Sequence, residues 1–286
     1  CKRHLGCDDP KFGTFGRSMD VMSRLQFSAN LGFLWTELPI DHAIQRAVEA
    51  GFHGIEMHWP DPADISKIKS ALTSTHLPLL SLNTVPGTKQ NGDFGLCAMP
   101  DRRGEAKAAI DLAVDQAQTL NAKFIHVMAG KASGPDAHET FVENLEYALD
   151  ITQGLGVQIL IEPINSYDVP EYFLKTVDQA IDIINEIGSP DLKLMFDFYH
   201  VERQQGSAIT RFQAALNFVG HVQFASVPDR ASPDHGDLDF DKVFKVLGAN
   251  WSGFCGAEYR PDGHTDASLQ WLQNLNADRD KASEQG

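Results

Sequence analysis

From Arg24 onward the chain alternates between short apolar runs and longer stretches in which apolar residues recur at helical spacing. The runs begin near Leu25, Gly54, Leu79, Phe124, Gln158, Leu192, His221 and Gly253. Runs apolar throughout, rather than on alternate residues, belong to strands buried on both faces, the condition of a parallel sheet. Between them Ile40, Ala43, Ile44, Ala47 and Val48 follow the i, i+3, i+4, i+7, i+8 spacing of one buried helical stripe. Ile110, Ala113, Val114, Ala117 and Leu120 repeat it, as do Phe141, Leu145, Ala148 and Leu149. Val177, Ile181, Ile184 and Ile187 do so again, and later Phe240, Val243, Phe244 and Leu247.

The punctuation agrees with this division. Gly51, Gly154 with Gly156, Gly188 and Gly248 stand where helices should end, each shortly before the next apolar run. Asp41 and Asp136 occupy expected N-cap positions. Strict β-then-α alternation implies parallel strands joined by right-handed crossovers. Eight such units in a chain of 286 residues predict an α/β fold, a closed (β/α)8 TIM barrel rather than an open doubly wound sheet. No GxGxxG turn follows the first strand, which speaks against a dinucleotide fold. With no internal repeat, low-complexity tract or linker, one barrel domain is expected over residues 22–280. Residues 1–21 read as an irregular extension. Lys2, Arg3 and His4 give it positive charge, but no apolar h-region follows, so it is not a secretory signal.

Composition narrows the partners. With 39 acidic against 24 basic residues the formal charge is −15, and no local basic stripe offsets it. Such a surface repels phosphate backbones, so nucleic acid is not an expected partner. No apolar stretch approaches the ~20 residues of a membrane span. The cysteines, Cys1, Cys7, Cys97 and Cys255, form no CxxC pair and are too few for a disulfide framework. Cys255 lies within a predicted strand, where a buried, inert thiol is expected. A cytoplasmic location and a homo-oligomeric assembly are expected.

Four polar residues each close an apolar run. Glu162 ends Val-Gln-Ile-Leu-Ile-Glu, Asp197 ends Leu-Lys-Leu-Met-Phe-Asp, Gln223 lies in Gly-His-Val-Gln-Phe, and Glu258 ends Gly-Phe-Cys-Gly-Ala-Glu. In a barrel the C-terminal ends of all strands open at one mouth, where active sites are built. Three carboxylates converging there would repel one another, and a cation removes that cost. An all-oxygen set suits a hard divalent ion, Mg²⁺ or Mn²⁺, better than zinc, because no His or Cys is among the four. The neutral amide of Gln223 leaves room for an anionic substrate.

Other candidates sit near the same strand ends. His200 lies three residues past Asp197, and Asp168, six past Glu162, either faces the pocket or caps the following turn. Glu56 and His58 end the second strand, while His126 in the fourth reads as structural. The irregular stretches 85–103, 129–135 and 228–237 all follow predicted strands and so belong to the mouth. The last is too polar for core. Its Arg230 is the best cation for a substrate carboxylate, which a guanidinium can bind bidentately; Arg260 competes for that role.

The strings Glu-Pro-Ile-Asn (162–165), Phe-Asp-Phe-Tyr-His (196–200), Gly-His-Val-Gln (220–223) and Ala-Glu-Tyr (257–259) resemble those of the hydroxypyruvate isomerase family, within the xylose-isomerase-like barrel superfamily. Phe-Ser-Ala-Asn-Leu (27–31), Ala-Gly-Phe (50–52) and Val-Met-Ala-Gly (127–130) extend the resemblance over most of the chain. It implies a divalent metal held by Glu162, Asp197, Gln223 and Glu258, with Glu162 and Glu258 also moving protons, and His200 touching substrate oxygens. The implied reaction is an intramolecular oxidoreduction of aldose–ketose type, interconverting hydroxypyruvate and tartronate semialdehyde through a metal-stabilised enediolate. A 2-oxo-tetronate isomerase or a ketose 3-epimerase would share the mechanism. A non-catalytic sugar-acid binding module is the alternative from another class, and it would not need two proton-transfer groups. Related ketose epimerases carry His where Gln223 stands, which favours the isomerase branch. Three positions depart from the family. Gly92-Asp93-Phe94-Gly95 replaces a Gly-Glu-Arg-Gly-like string, His58-Trp59-Pro60 replaces Phe-Pro-Tyr, and Ser226 stands where the family often has Asp.

Overall fold

The computed structural model describes residues 25–283, so the extension expected over residues 1–21 lies outside the described residues. Eight strands pair in parallel, each with its successor, and the last pairs back with the first to close a barrel. In chain order they are β1 (Gln26–Asn30), β2 (Gly54–Glu56), β3 (Leu79–Asn83), β4 (Phe124–His126), β5 (Gln158–Ile161), β6 (Leu192–Asp197), β7 (Val219–Phe224) and β8 (Phe254–Ala257). Around them run α1 (Ile40–Glu49), α2 (Ile65–Thr75), α3 (Arg103–Leu120), α4 (Pro135–Thr152), α5 (Val177–Ile187), α6 (Phe198–Gln205), α7 (Ala208–Ala215), α8 (Phe240–Asn250) and α9 (Gln270–Ser283). No helix among the described residues is long and apolar enough to cross a membrane.

The helical stripes face the barrel as their spacing requires. α1 buries Ala43, Ile44 and Ala47, and α3 buries Ile110 together with Ala109, Ala113 and Ala117, whose small side chains let its backbone approach the strands. The closing seam is aromatic. The ring of Phe27 on β1 meets Phe224 of β7, Phe244 of α8 and Trp271 of α9 edge-on at 6.0, 5.5 and 5.2 Å. Such pairs each contribute about 0.5–1.5 kcal/mol beyond burial and pin the C-terminal helices to the first strand.

Three expected boundaries are corrected. Asp41 and Asp136 lie inside the first turns of α1 and α4, whose N-cap positions are Pro39 and Gly134; the acids still face the positive end of the helix. Gly248 lies inside α8, which runs on to Asn250. The crossover from β6 to β7 is made of two short helices, α6 and α7. As expected, Gly188 ends α5 in the left-handed conformation.

Candidate active site

Each apolar run carries its polar terminus to the same mouth. Glu162 directly follows β5, Asp197 closes β6, Gln223 is the penultimate residue of β7 and Glu258 directly follows β8. Asp197 and Gln223 are partners across the β6–β7 ladder, and Gln223 is paired in turn with Gly256 of β8. All four polar side chains are buried. Asp197 also begins α6, its Oδ1 accepting from the backbone N–H of Tyr199 at 2.8 Å. The strand therefore turns into a helix at the residue that must point inward.

One ligand atom from each of Glu162, Asp197, His200 and Glu258 lies within 4.8 Å of all the others. His200 thus sits among the carboxylates, with Nε2 3.8 Å from Glu162 Oε1 and 3.7 Å from Asp197 Oδ2. Its other nitrogen settles its role. Nδ1 faces two donors of Asn165, the side-chain Nδ2 at 2.7 Å and the backbone N–H at 3.4 Å. The Asn165 amide cannot turn over, because its Oδ1 already accepts from the N–H groups of Tyr167 and Asp168. Nδ1 must therefore accept, which places the ring proton on Nε2, aimed at the carboxylates. A nitrogen carrying that proton donates; it does not ligate. Asn165, which orients the ring of His200, was missed by sequence reasoning, although its Asn-x-x-Asp turn was visible.

The remaining acceptors fit a cation. Glu162 Oε1, Asp197 Oδ2 and Gln223 Oε1 are buried and accept no hydrogen bond among the described residues. Buried oxygens without a donor are costly, and an oxygen-preferring divalent ion satisfies several at once. Electrostatics point the same way. Burial, reinforced by the charges of Glu258 and Asp197, pushes the Glu162 carboxyl well above the usual range. Burial pushes Asp197 up to about 7, although Arg230 opposes it. Burial would also raise Glu258, but the charge of Arg230 and a hydrogen bond with His58 outweigh it and hold that carboxyl at about 2.

Arg230 departs from expectation. Far from standing free on a polar loop, it is buried, and Ser232 of the same loop is buried with it. Its Nη2 donates to Glu258 Oε2 and lies 3.8 Å from Asp197 Oδ2. The guanidinium carbon stands 4.7 Å from the ring centroid of Phe33 and 5.0 Å from that of Tyr199. One arm of the fork expected to grasp a substrate carboxylate thus holds a carboxylate of the protein, while Arg230 still lines the cavity.

Asp168 lines the pocket and also holds its wall, accepting from the Tyr199 hydroxyl at 2.7 Å and from Asn165 Nδ2 at 3.2 Å. His126, expected to be structural, lines the cavity instead. Neither of its ring nitrogens is hydrogen-bonded among the described residues, and Nδ1 lies 3.5 Å from Glu162 Oε2. Burial lowers its pKa to about 4, so it is neutral near pH 7. His58 Nε2 lies 3.2 Å from Glu258 Oε1, which also accepts from Asn30 Nδ2 at 2.9 Å. The cavity over this cluster measures about 890 Å³ and is walled by Phe33, Trp59 and Phe94, with Lys131 and Arg260 also on its lining.

Residues 44–275 match the model of the xylose isomerase-like TIM barrel family. The hydroxypyruvate isomerase of Escherichia coli (strain K12) is 33% identical over 253 residues, which span 87% of this chain and 98% of the relative. A 2-oxo-tetronate isomerase of Cupriavidus necator is also 33% identical over 253 residues, 87% of this chain and 97% of the relative. A crystal structure from Brucella melitensis, described as AP endonuclease, family 2, has a TM-score of 0.84 at 32% identity and covers 87% of this chain and 98% of that one.

Proposed function

The chain belongs to the xylose isomerase-like TIM barrel family and is an isomerase, and from that premise we propose that it interconverts hydroxypyruvate and tartronate semialdehyde. One observation carries this reading: two glutamates, Glu162 and Glu258, share one buried cluster at the barrel mouth. Moving a carbonyl between adjacent carbons needs such a pair. A C–H bond breaks at C3, a C–H bond forms at C2, and a hydroxyl proton passes from the C3 oxygen to the C2 oxygen. Two carboxylates can take the proton from one carbon and return it to the next.

Glu258, kept ionised by Arg230 and His58, would take the carbon-bound proton, and Glu162 on the same cluster is the partner carboxylate for its return. The Nε2–H of His200 points into the cluster and can donate to a substrate oxygen as it gains charge. Phe33, Trp59 and Phe94 keep bulk water away from the enediolate. Glu162, Asp197, Gln223 and Glu258 would hold Mg²⁺ or Mn²⁺. That ion supplies counter-charge to the substrate oxygens on which negative charge develops. With Arg230 engaged by Glu258, Lys131 and Arg260 are the cations of the cavity left for the substrate carboxylate.

The formal charge of −15 and the acidic mouth favour a small anion neutralised locally over a nucleic-acid backbone. The buried thiols of Cys97 and Cys255 suit a reducing cytoplasm. A second reading, isomerisation of a 2-oxo-tetronate one carbon longer, is favoured by the cavity, whose roughly 890 Å³ exceeds what a three-carbon acid fills.

The test is a panel of three- to six-carbon keto acids and ketoses, incubated with enzyme and Mn²⁺ in D₂O. Deuterium should enter hydroxypyruvate at C3 and appear at C2 of the product. Exchange confined to the four-carbon acid selects the second reading, and turnover of ketoses with no exchange in any acid rejects both.

A further inference from the structure

We propose that Glu56 is a positioning residue that fixes the amide of Gln223 with its oxygen turned toward the metal site. The inference rests on the metal-assisted reading above but concerns a residue that contributes no ligand to it. Glu56 ends β2, is fully buried, and reaches across the barrel interior to β7. Room for its carboxylate comes from β8: a Cβ at Gly256 would lie 2.2 Å from Glu56 Oε1.

Both oxygens of this carboxylate accept a hydrogen bond. Ser28 Oγ donates to Oε1 at 2.5 Å, and Gln223 Nε2 donates to Oε2 at 2.7 Å. His221 Nε2 lies 2.9 Å from Oε1. An amide is ambiguous by itself, since either end can face either way. Here only one orientation works. Turned over, Gln223 would set its oxygen against a carboxylate in a dry interior and present an NH₂ group, which cannot ligate a cation, to the acidic cluster. Held as it is, Gln223 Oε1 is buried without a donor, on the residue paired with Asp197. Partners of this kind set ligand orientation and commonly govern metal affinity by about 10- to 100-fold.

The proposal predicts the sign of an unusual result. Replacing a neutral oxygen ligand by a charged one ordinarily tightens binding of a divalent cation. Gln223→Glu should weaken it here by about tenfold or more, because a second carboxylate set against Glu56 at hydrogen-bond distance in a dry interior disfavours the ionised form that ligates the cation. The double change Glu56→Gln with Gln223→Glu restores a donor and an acceptor with their positions exchanged, and should recover wild-type affinity or better.

Mn²⁺ affinity would be measured on metal-free protein by electron paramagnetic resonance of the free ion, without substrate, alongside thermal unfolding. Gln223→Glu binding Mn²⁺ as tightly as wild type, or a double variant that fails to recover, overturns the role of Glu56 alone. Wild-type protein that binds no Mn²⁺ overturns the metal reading and this inference together. Should Gln223→Glu not fold, a second pair decides. Glu56→Gln keeps an acceptor for Gln223 and should keep the affinity, whereas Glu56→Leu has none and should lose about 10- to 100-fold. Equal affinity in these two variants overturns the proposal.

Discussion

Arg230 and Glu258 form a buried ion pair at the barrel mouth, with the guanidinium set between the rings of Phe33 and Tyr199. The pair joins the loop after β7 to the end of β8. It also decides the charge state of a residue assigned to proton transfer. Removing one partner strands the other charge in a dry site, which typically costs about 3–5 kcal/mol. Metal-free Arg230→Met should therefore be less stable than wild type by about that much in urea unfolding at pH 7. The sign with pH follows from Glu258, whose folded-state pKa of about 2 lies below its ordinary 4.5. Its stabilisation is complete above about 4.5 and is lost as pH falls toward 2. The gap between wild type and variant should narrow over that window, and a gap that stays constant would remove Glu258 as its cause.

Metal binding should depend on pH in the same sense but over a higher window. Burial holds Asp197 at about 7 and Glu162 above its usual range, so below neutrality the empty cluster keeps protons that a cation must displace. Apparent Mn²⁺ affinity should rise roughly tenfold per pH unit for each proton displaced, up to about pH 7, then flatten. A chelator should abolish turnover, and Mn²⁺ or Mg²⁺ should restore it. Affinity unchanged between pH 5.5 and 8 would show that no proton leaves the ligands.

Glu258→Gln keeps the shape of the side chain and one oxygen but removes the base. Turnover should fall by ~10² or more, the usual scale for a lost general acid or base. Mn²⁺ affinity should change much less. Full activity in this variant would move the proton transfer elsewhere in the cluster.

The barrel was readable because strands buried on both faces leave uninterrupted apolar runs, and the polar residue closing each run announces itself. Glu162, Asp197, Gln223 and Glu258 were visible for that reason. What spacing conceals is contact across the barrel. Glu56 closes a strand of three residues and looks like any charge at a strand end, yet it bonds to Gln223, 167 positions away. Arg230 sits in a polar loop and looks solvated, but two aromatic rings from distant segments enclose it. Gly248 resembles a helix stop, and only the structure shows that α8 passes through it.

The carboxylate of the proposed substrate needs a cation, and because Arg230 already pairs with Glu258 the role is assigned to Lys131. This lysine follows β4, lies on the cavity lining, and makes no salt bridge among the described residues. Its acidic neighbour, Asp93, is already held by Arg102 at 2.7 Å, so the ammonium is not consumed by it. Lys131→Met keeps most of the stem while removing the charge. Losing a charge-assisted contact typically costs about 1.5–3 kcal/mol, or one to two decades in kcat/KM. That loss should fall on hydroxypyruvate and mainly on KM, because the carboxylate keeps its charge throughout the reaction and is bound equally in ground and transition states. A neutral ketose, having no carboxylate, should be nearly indifferent to Lys131→Met. It should suffer as badly as the acid from Arg230→Met, where the defect lies in Glu258. Kinetics of both variants on both substrates separate the two cations. Equal fractional losses for acid and ketose in Lys131→Met would reject Lys131 as the carboxylate site and transfer the role to Arg260, the other cation on the cavity lining.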